Sequence, residues 1–324
     1  MPMDIPEYQL PDPHEGNSPT LEQTDVVDTE QLANAILAGC ASGGDISGHL
    51  ATLGTLEHDQ REILQRHIGK LLAEHTSMLS EPHHWMTLQK VGRQEYIAIL
   101  RYALESASGI DHLTISTKLA DTLRRETDTA KKTASLDEAD FLFRDAIDTA
   151  AGDEREWSPE MFRALSSACY TQSFVSLGRA EMKTEGQAEE QNQLIQDSLA
   201  QLETSRAYAV AAGDHEGAAQ SEIRWCAVHI DMNIGDMTEL IPKLDTLAKK
   251  LQGASGTWAN RFLNNALGRR VEAAAKCSHA QWEDFYRELM QRENLEKQYG
   301  GADKLKVWKE KNCPPALRKE EGFE

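Results

Sequence analysis

No lysine or arginine occurs before Arg61, whereas Asp4, Glu7, Asp12, Glu15, Glu22, Asp25, Asp28, Glu30, Asp45, Glu57 and Asp59 all precede it. Over all 324 residues, 34 basic side chains face 53 acidic ones, a net charge of −19. A chain this short of positive charge lacks the basic face that displaces counterions from nucleic acid or an anionic membrane, so neither is an expected partner. The same shortage removes the basic start of a secretory signal and the arginines of a mitochondrial presequence. Runs of about 18 apolar residues, the length that crosses a bilayer, are also missing. The expected location is the cytoplasm.

Cysteine is sparse too. Cys40, Cys169, Cys226, Cys277 and Cys313 are odd in number, widely spaced and form no CxxC pair. That pattern suits reduced, mostly buried thiols and neither a disulfide frame nor a zinc site. GxGxxG, GxSxG and GxxxxGK[ST] are absent, so nothing in the chain compels an enzyme, and no catalytic residue, cofactor or metal ligand is assigned. Two near-matches dissolve on inspection. Asp137-Glu138-Ala139-Asp140 spells a helicase motif without the strand or phosphate loop that goes with it, and suits first-turn acids that favour the helix dipole. His215-Glu216 is followed by Ala219, where a metalloprotease helix needs its second histidine. The densest histidines are His83-His84 after Glu81-Pro82, with His75 nearby. Neighbours on a helix point about 100° apart, so this pair suits a polar helix start better than one shared ion. A helical metal-dependent enzyme using His58, Asp59, His75 and His83 stands as the alternative.

What is present is helical periodicity. Residues 1–28 hold Pro2, Pro6, Pro11, Pro13 and Pro19 among acids, and are expected to form a disordered arm, because so few apolar groups cannot offset the ordering entropy. From Asp28, a helix cap, apolar residues recur at steps of three, four and seven. Ser135 with Glu138, Ser158 before Pro159, Asp236 with Glu239 and Ser278 with Gln281 each predict a helix start, and Gly300-Gly301 predicts the stop of the last of these helices. Gly44-Asp45, Gly152-Asp153, Gly213-Asp214 and Gly235-Asp236 repeat one joint, in which Gly ends a helix and Asp caps the next. The brief alternation Leu113-Thr114-Ile115-Ser116 is too short for a sheet. The expected fold is all-α, stacked antiparallel helical hairpins in a solenoid or multi-helix bundle. An N-terminal helical group over 29–108 is followed by an array over 111–300 and a basic tail over 301–324, expected to rest as a last helix on the acidic body.

The segment Ala209-Val210-Ala211-Ala212-Gly213-Asp214-His215-Glu216-Gly217-Ala218-Ala219 resembles a tetratricopeptide-type (TPR-like) repeat, with a Gly-Asp turn between helices and the small Ala218 five positions after the Gly. Gly235-Asp236 is followed by Leu240, Leu244 and Leu247 at the matching packing offsets, and Trp258 falls one family repeat length after Arg224. The resemblance covers about 194–298 and is partial: the two Gly-Asp joints are too close to be the same joint of successive repeats, and Leu240 replaces the small residue.

It implies a scaffold or adaptor that presents a concave face to another polypeptide. Arg224, Trp225, Trp258, Arg261, Arg269 and Arg270 are the candidate protein-binding residues, the arginines on the exposed surface and suited to acidic or phosphorylated peptides. Trp225, Trp258, Trp282, Phe285 and Tyr286 could each line a groove, but most of these five rings are expected to fill the packed layer between hairpins. A structural or secretion-associated protein docked by the 1–28 arm is the remaining alternative.

Overall fold

A computed structural model describes residues 28–42, 47–53, 55–74, 93–105, 107–150, 157–255 and 257–323, and every regular element among them is helical. The α-helices are α1 (Thr29–Ser42), α2 (Ser47–Leu53), α3 (His58–Glu74), α4 (Arg93–Leu104), α5 (Gly109–Arg124), α6 (Thr129–Ala150), α7 (Pro159–Glu181) and α8 (Ala188–Ala211). They continue as α9 (His215–Asp231), α10 (Met237–Gln252), α11 (Thr257–Cys277), α12 (Trp282–Met290), α13 (Leu295–Tyr299) and α14 (Ala302–Asn312). The predicted arm, apart from Asp28, and the joints Gly44-Asp45 and Gly152-Asp153 lie outside the described residues. The segment 113–116 is a turn of α5.

Capping chemistry accounts for several of the helix starts. The Glu30 and Gln31 amides donate to the Asp28 carboxylate at 3.1 Å, and the Met161 amide donates to Ser158 Oγ at 3.2 Å with Pro159 at the first helical position. Asp214 accepts from the Gly217 amide at 2.9 Å and Asp236 from the Thr238 amide at 2.8 Å.

Three expectations change. Ser135 lies inside α6, which begins behind Asp128, because Ala130, Lys131, Lys132 and Ala134 are good helix formers that carry the helix upstream of the serine. Ser278 closes α11 instead of opening α12: its φ is +50°, and the His279 amide reaches back to the Ala274 carbonyl at 3.0 Å, a Schellman closure. Gly300 ends α13, not α12, because the chain leaves helical geometry after Met290, with Asn294 at φ +62°.

Consecutive helices pair as α5 with α6, α7 with α8, α8 with α9 and α10 with α11. Superposed on this pairing, α1 packs on α3, α3 on α5, α5 on α7, α7 on α9 and α9 on α11, so the odd-numbered helices form one continuous row. No comparable contact joins α6, α8 and α10 to one another among the described residues. The arrangement is solenoid-like, with each unit touching its neighbours.

One apolar cluster runs from Leu32 to Val175 and another from Ala219 to Leu317, with Leu177, Ala180, Ile195, Leu199, Leu202 and Val228 between them. Leu100 and Leu113, on either side of 106–108, share the first cluster. Where α7, α8 and α9 converge, buried serines replace bulk. Ser166 Oγ donates to the Ser205 carbonyl at 2.9 Å, Ser205 Oγ donates to the Ser166 carbonyl at 2.8 Å, and the Ser205 and Ser221 hydroxyls meet at 2.9 Å. Small side chains that satisfy one another let the helices approach closely at no cost in unpaired polar groups.

The basic tail forms α14 and a following turn, and packs on the body through Leu305 of the helix and Cys313 and Leu317 beyond it. Trp308 Nε1 donates to Glu272 at 2.5 Å, and Lys309 pairs with Glu321 at 3.0 Å.

Candidate ligand face on the odd-numbered helices

Tyr170 and Phe174 stand four residues apart on α7, which places them on one side of the helix, and their rings meet edge to face at 5.2 Å. Two guanidinium groups rest on Phe174, Arg124 from α5 at 4.6 Å and Arg224 from α9 at 4.4 Å. Three successive odd helices therefore meet at one ring. Arg124 is held by Asp121 at 2.6 Å, and Asp121 also takes Arg125 at 2.9 Å. On the far side of α9, Arg269 of α11 pairs with Asp231 at 2.9 Å and Glu272 at 2.7 Å.

Arg224 differs from its neighbours. No carboxylate among the described residues lies within ion-pair distance of it; its Nε, like that of Arg270, is closed off from solvent with no acceptor. Burial lowers its pKa, as does the nearby charge of Arg269, while Tyr170 and Asp231 oppose the shift. Burial raises the Tyr170 phenol, against the pull of Arg224. Arg269 stays above its ordinary value even though burial pulls it down, because Glu272 and Asp231 are beside it.

The other residues singled out by sequence are distributed over several places. Trp225, adjacent to Arg224 on α9, points away from this face, as the 100° step requires. It lines a cleft of about 320 Å³ with Leu202 and Arg206 of α8 and Lys243 of α10, whose ammonium sits 4.5 Å above the indole. Its indole N–H is buried without an acceptor. Trp258 packs at 6.0 Å from Phe262, and Arg261 covers that same ring at 4.8 Å while reaching Glu216 at 3.7 Å.

Arg270 is not on the surface. Only 6% exposed, it lies over the Phe285 ring at 4.1 Å and is bound by Asp245 and Glu288. The expectation of an exposed arginine fails there because the 100° step from Arg269 turns it into the α10–α11–α12 layer, where two carboxylates make burial tolerable. Phe285 and Tyr286 are buried, as expected.

Arg124, Tyr170 and Phe174 were not singled out by sequence. Tyr170 and Phe174 are an i, i+4 aromatic pair, a signal that equally describes core packing, and Arg124 lies about fifty residues upstream on another helix.

His58 and Asp59 are exposed in the first turn of α3, and His75 and His83 lie outside the described residues. Among the described residues, no group of three or more His, Cys, Asp or Glu is placed to hold a metal, and no helix is long and apolar enough to cross a membrane. Burial pushes the Cys169 and Cys226 thiols up to about 12, so neither is an activated nucleophile at neutral pH. Compared with known proteins, the chain matches no family model, no curated protein and no solved structure.

Proposed function

We propose that this protein is a scaffold that binds another polypeptide, in the cytoplasm, along the row of odd-numbered helices, in the manner of a TPR-like array. The observation that carries the reading is the cluster on α5, α7 and α9, where Arg124, Phe174, Tyr170 and Arg224 gather on the one row that runs through successive units. Aromatic rings and arginine are the side chains that most often anchor polypeptide interfaces, because each offers a large, rigid contact area and a polar edge together. A row of touching helices offers an extended ligand several such anchors in line.

A photoreactive phenylalanine analogue distinguishes this face from the rest of the surface. Placed in living cells at Phe174, it is expected to capture one discrete partner. Placed at Phe141, which is 67% exposed on α6 outside the row, it is expected to capture none. Equal labelling from both positions, or none from Phe174, removes the proposal.

A further inference from the structure

We infer that Arg224 is the receptor for a single aspartate or glutamate side chain of an extended peptide whose remaining charge is neutral or basic. This rests on the scaffold reading and specifies its ligand. Around α9, each other arginine has an answering carboxylate: Arg124 has Asp121, Arg206 has Glu222, Arg261 has Glu216, Arg269 has Asp231 and Glu272, and Arg270 has Asp245 and Glu288. Among the described residues Arg224 has only the Phe174 ring against its plane and no carboxylate in ion-pair reach; its Nε is sealed, so its two terminal nitrogens are the ones open to a ligand. A guanidinium taken partly out of water with no counter-ion is costly, and a ligand carboxylate is the group that offsets the cost, through the two-pronged geometry the guanidinium presents.

The charge balance selects among oxyanions. One uncompensated positive charge calls for one negative charge, and a phosphate dianion on the same face would meet Asp121, Asp231 and Glu272. The protein's −19 repels a strongly acidic peptide and draws in a neutral or basic one, so the acidic contact is a single one. The row continues through α5 on one side of Arg224 and α11 on the other, which suits an internal residue of a passing chain better than a chain end.

The test uses the full chain and short fluorescent peptides, Lys- and Ser-based and amidated at the C-terminus, with Glu, Gln or phosphoserine at the centre. The Glu peptide is expected to bind about tenfold more tightly than the Gln peptide, within the range of a charge-assisted bidentate contact. Arg224→Gln is expected to erase that difference without lowering the melting temperature, since it removes an unpaired, partly buried charge. Arg224→Lys is expected to restore only part of it. Equal binding of the Glu and Gln peptides, a ratio unchanged by Arg224→Gln, tighter binding of the phosphoserine peptide, or no binding at millimolar concentration each overturns the assignment. Capture from Phe174 without a Glu preference removes the ligand and leaves the scaffold. A Glu preference without capture does the reverse.

Discussion

Arginine does two opposite jobs in this protein, and the difference lies in what answers the charge. Arg270 is nearly as inaccessible as a core leucine, yet Asp245 and Glu288 bind its two terminal nitrogens and Phe285 supports its plane. Arg224, half-buried against Phe174, has no such pair among the described residues. Burial without a counter-ion is tolerated where a ligand supplies one, whereas burial with two carboxylates is architecture. Arg270→Ala is therefore expected to cost about 2 kcal/mol, less than for a fully buried pair because both carboxylates keep some access to water. Arg270→Met retains the apolar stem over Phe285 and is expected to cost less than the alanine variant. Urea unfolding midpoints of the two variants measure this, and equal losses would mean that the stem contributes nothing.

Each helix depends on its ends. α8 closes with Gly213 at φ +68°, and the Asp214 amide reaches back to the Ala209 carbonyl at 2.8 Å. The same Asp214 then caps α9 through the Gly217 amide. One dipeptide thus stops a helix and starts the next, which fixes the turn that brings α9 alongside α8. Gly213→Ala forces a Cβ into left-handed geometry and is expected to cost about 1 kcal/mol. Asp214→Ala leaves the α9 amides uncapped and is expected to cost a similar amount, about 1 kcal/mol. Asp214→Asn, which keeps the accepting oxygen, is expected to stay within a few tenths of a kcal/mol of the parent. A drop in the urea midpoint for Asp214→Asn as large as that for Asp214→Ala would show that the cap is not what Asp214 contributes.

Over the molecule as a whole, apolar packing runs from α1 to the tail, and buried ionisable groups along it tie stability to pH. Cys169 and Cys226 have thiol pKa values raised by burial from about 9 to about 12, and Tyr102 has a phenol raised by burial from about 10 to about 12. For groups whose folded pKa is raised, the neutral form is favoured by folding. Their contribution is complete below the unfolded values and is lost as pH rises through the folded ones. Stability is therefore expected to be insensitive to these groups below about pH 9 and to fall between about pH 9 and 12. Replacing both thiols in Cys169→Ala with Cys226→Ala is expected to flatten that alkaline limb while lowering stability at neutral pH through lost packing. Thermal melts across the range check it, and an unchanged slope in the double variant would assign the limb to other groups.

Local physics was enough for the helical class. Spacing of three and four needs no knowledge of the neighbours, and a cap such as Asp28, Ser158 or Asp236 acts within four residues of itself. The Gly213-Asp214 joint was legible for the same reason. Where the local signal was ambiguous, longer contacts decided. Ser135 and Ser278 carry the chemistry of helix starts, yet one sits inside a helix extended by its upstream residues and the other ends a helix in left-handed geometry.

The site was legible only in fragments. Arg224 could be named as a surface arginine, but its lack of a counter-ion among the described residues depends on where acids from several other helices pack. Arg269 and Arg270 are consecutive in sequence, and only the stacking of α10, α11 and α12 turns one toward Asp231 and Glu272 and the other into the core. Arg124, Phe174 and Arg224 are separated by fifty residues each, and no periodicity links them. They meet because odd-numbered helices pack on odd-numbered helices, a consequence of how apolar faces are shared among units and not of any residue in the cluster itself.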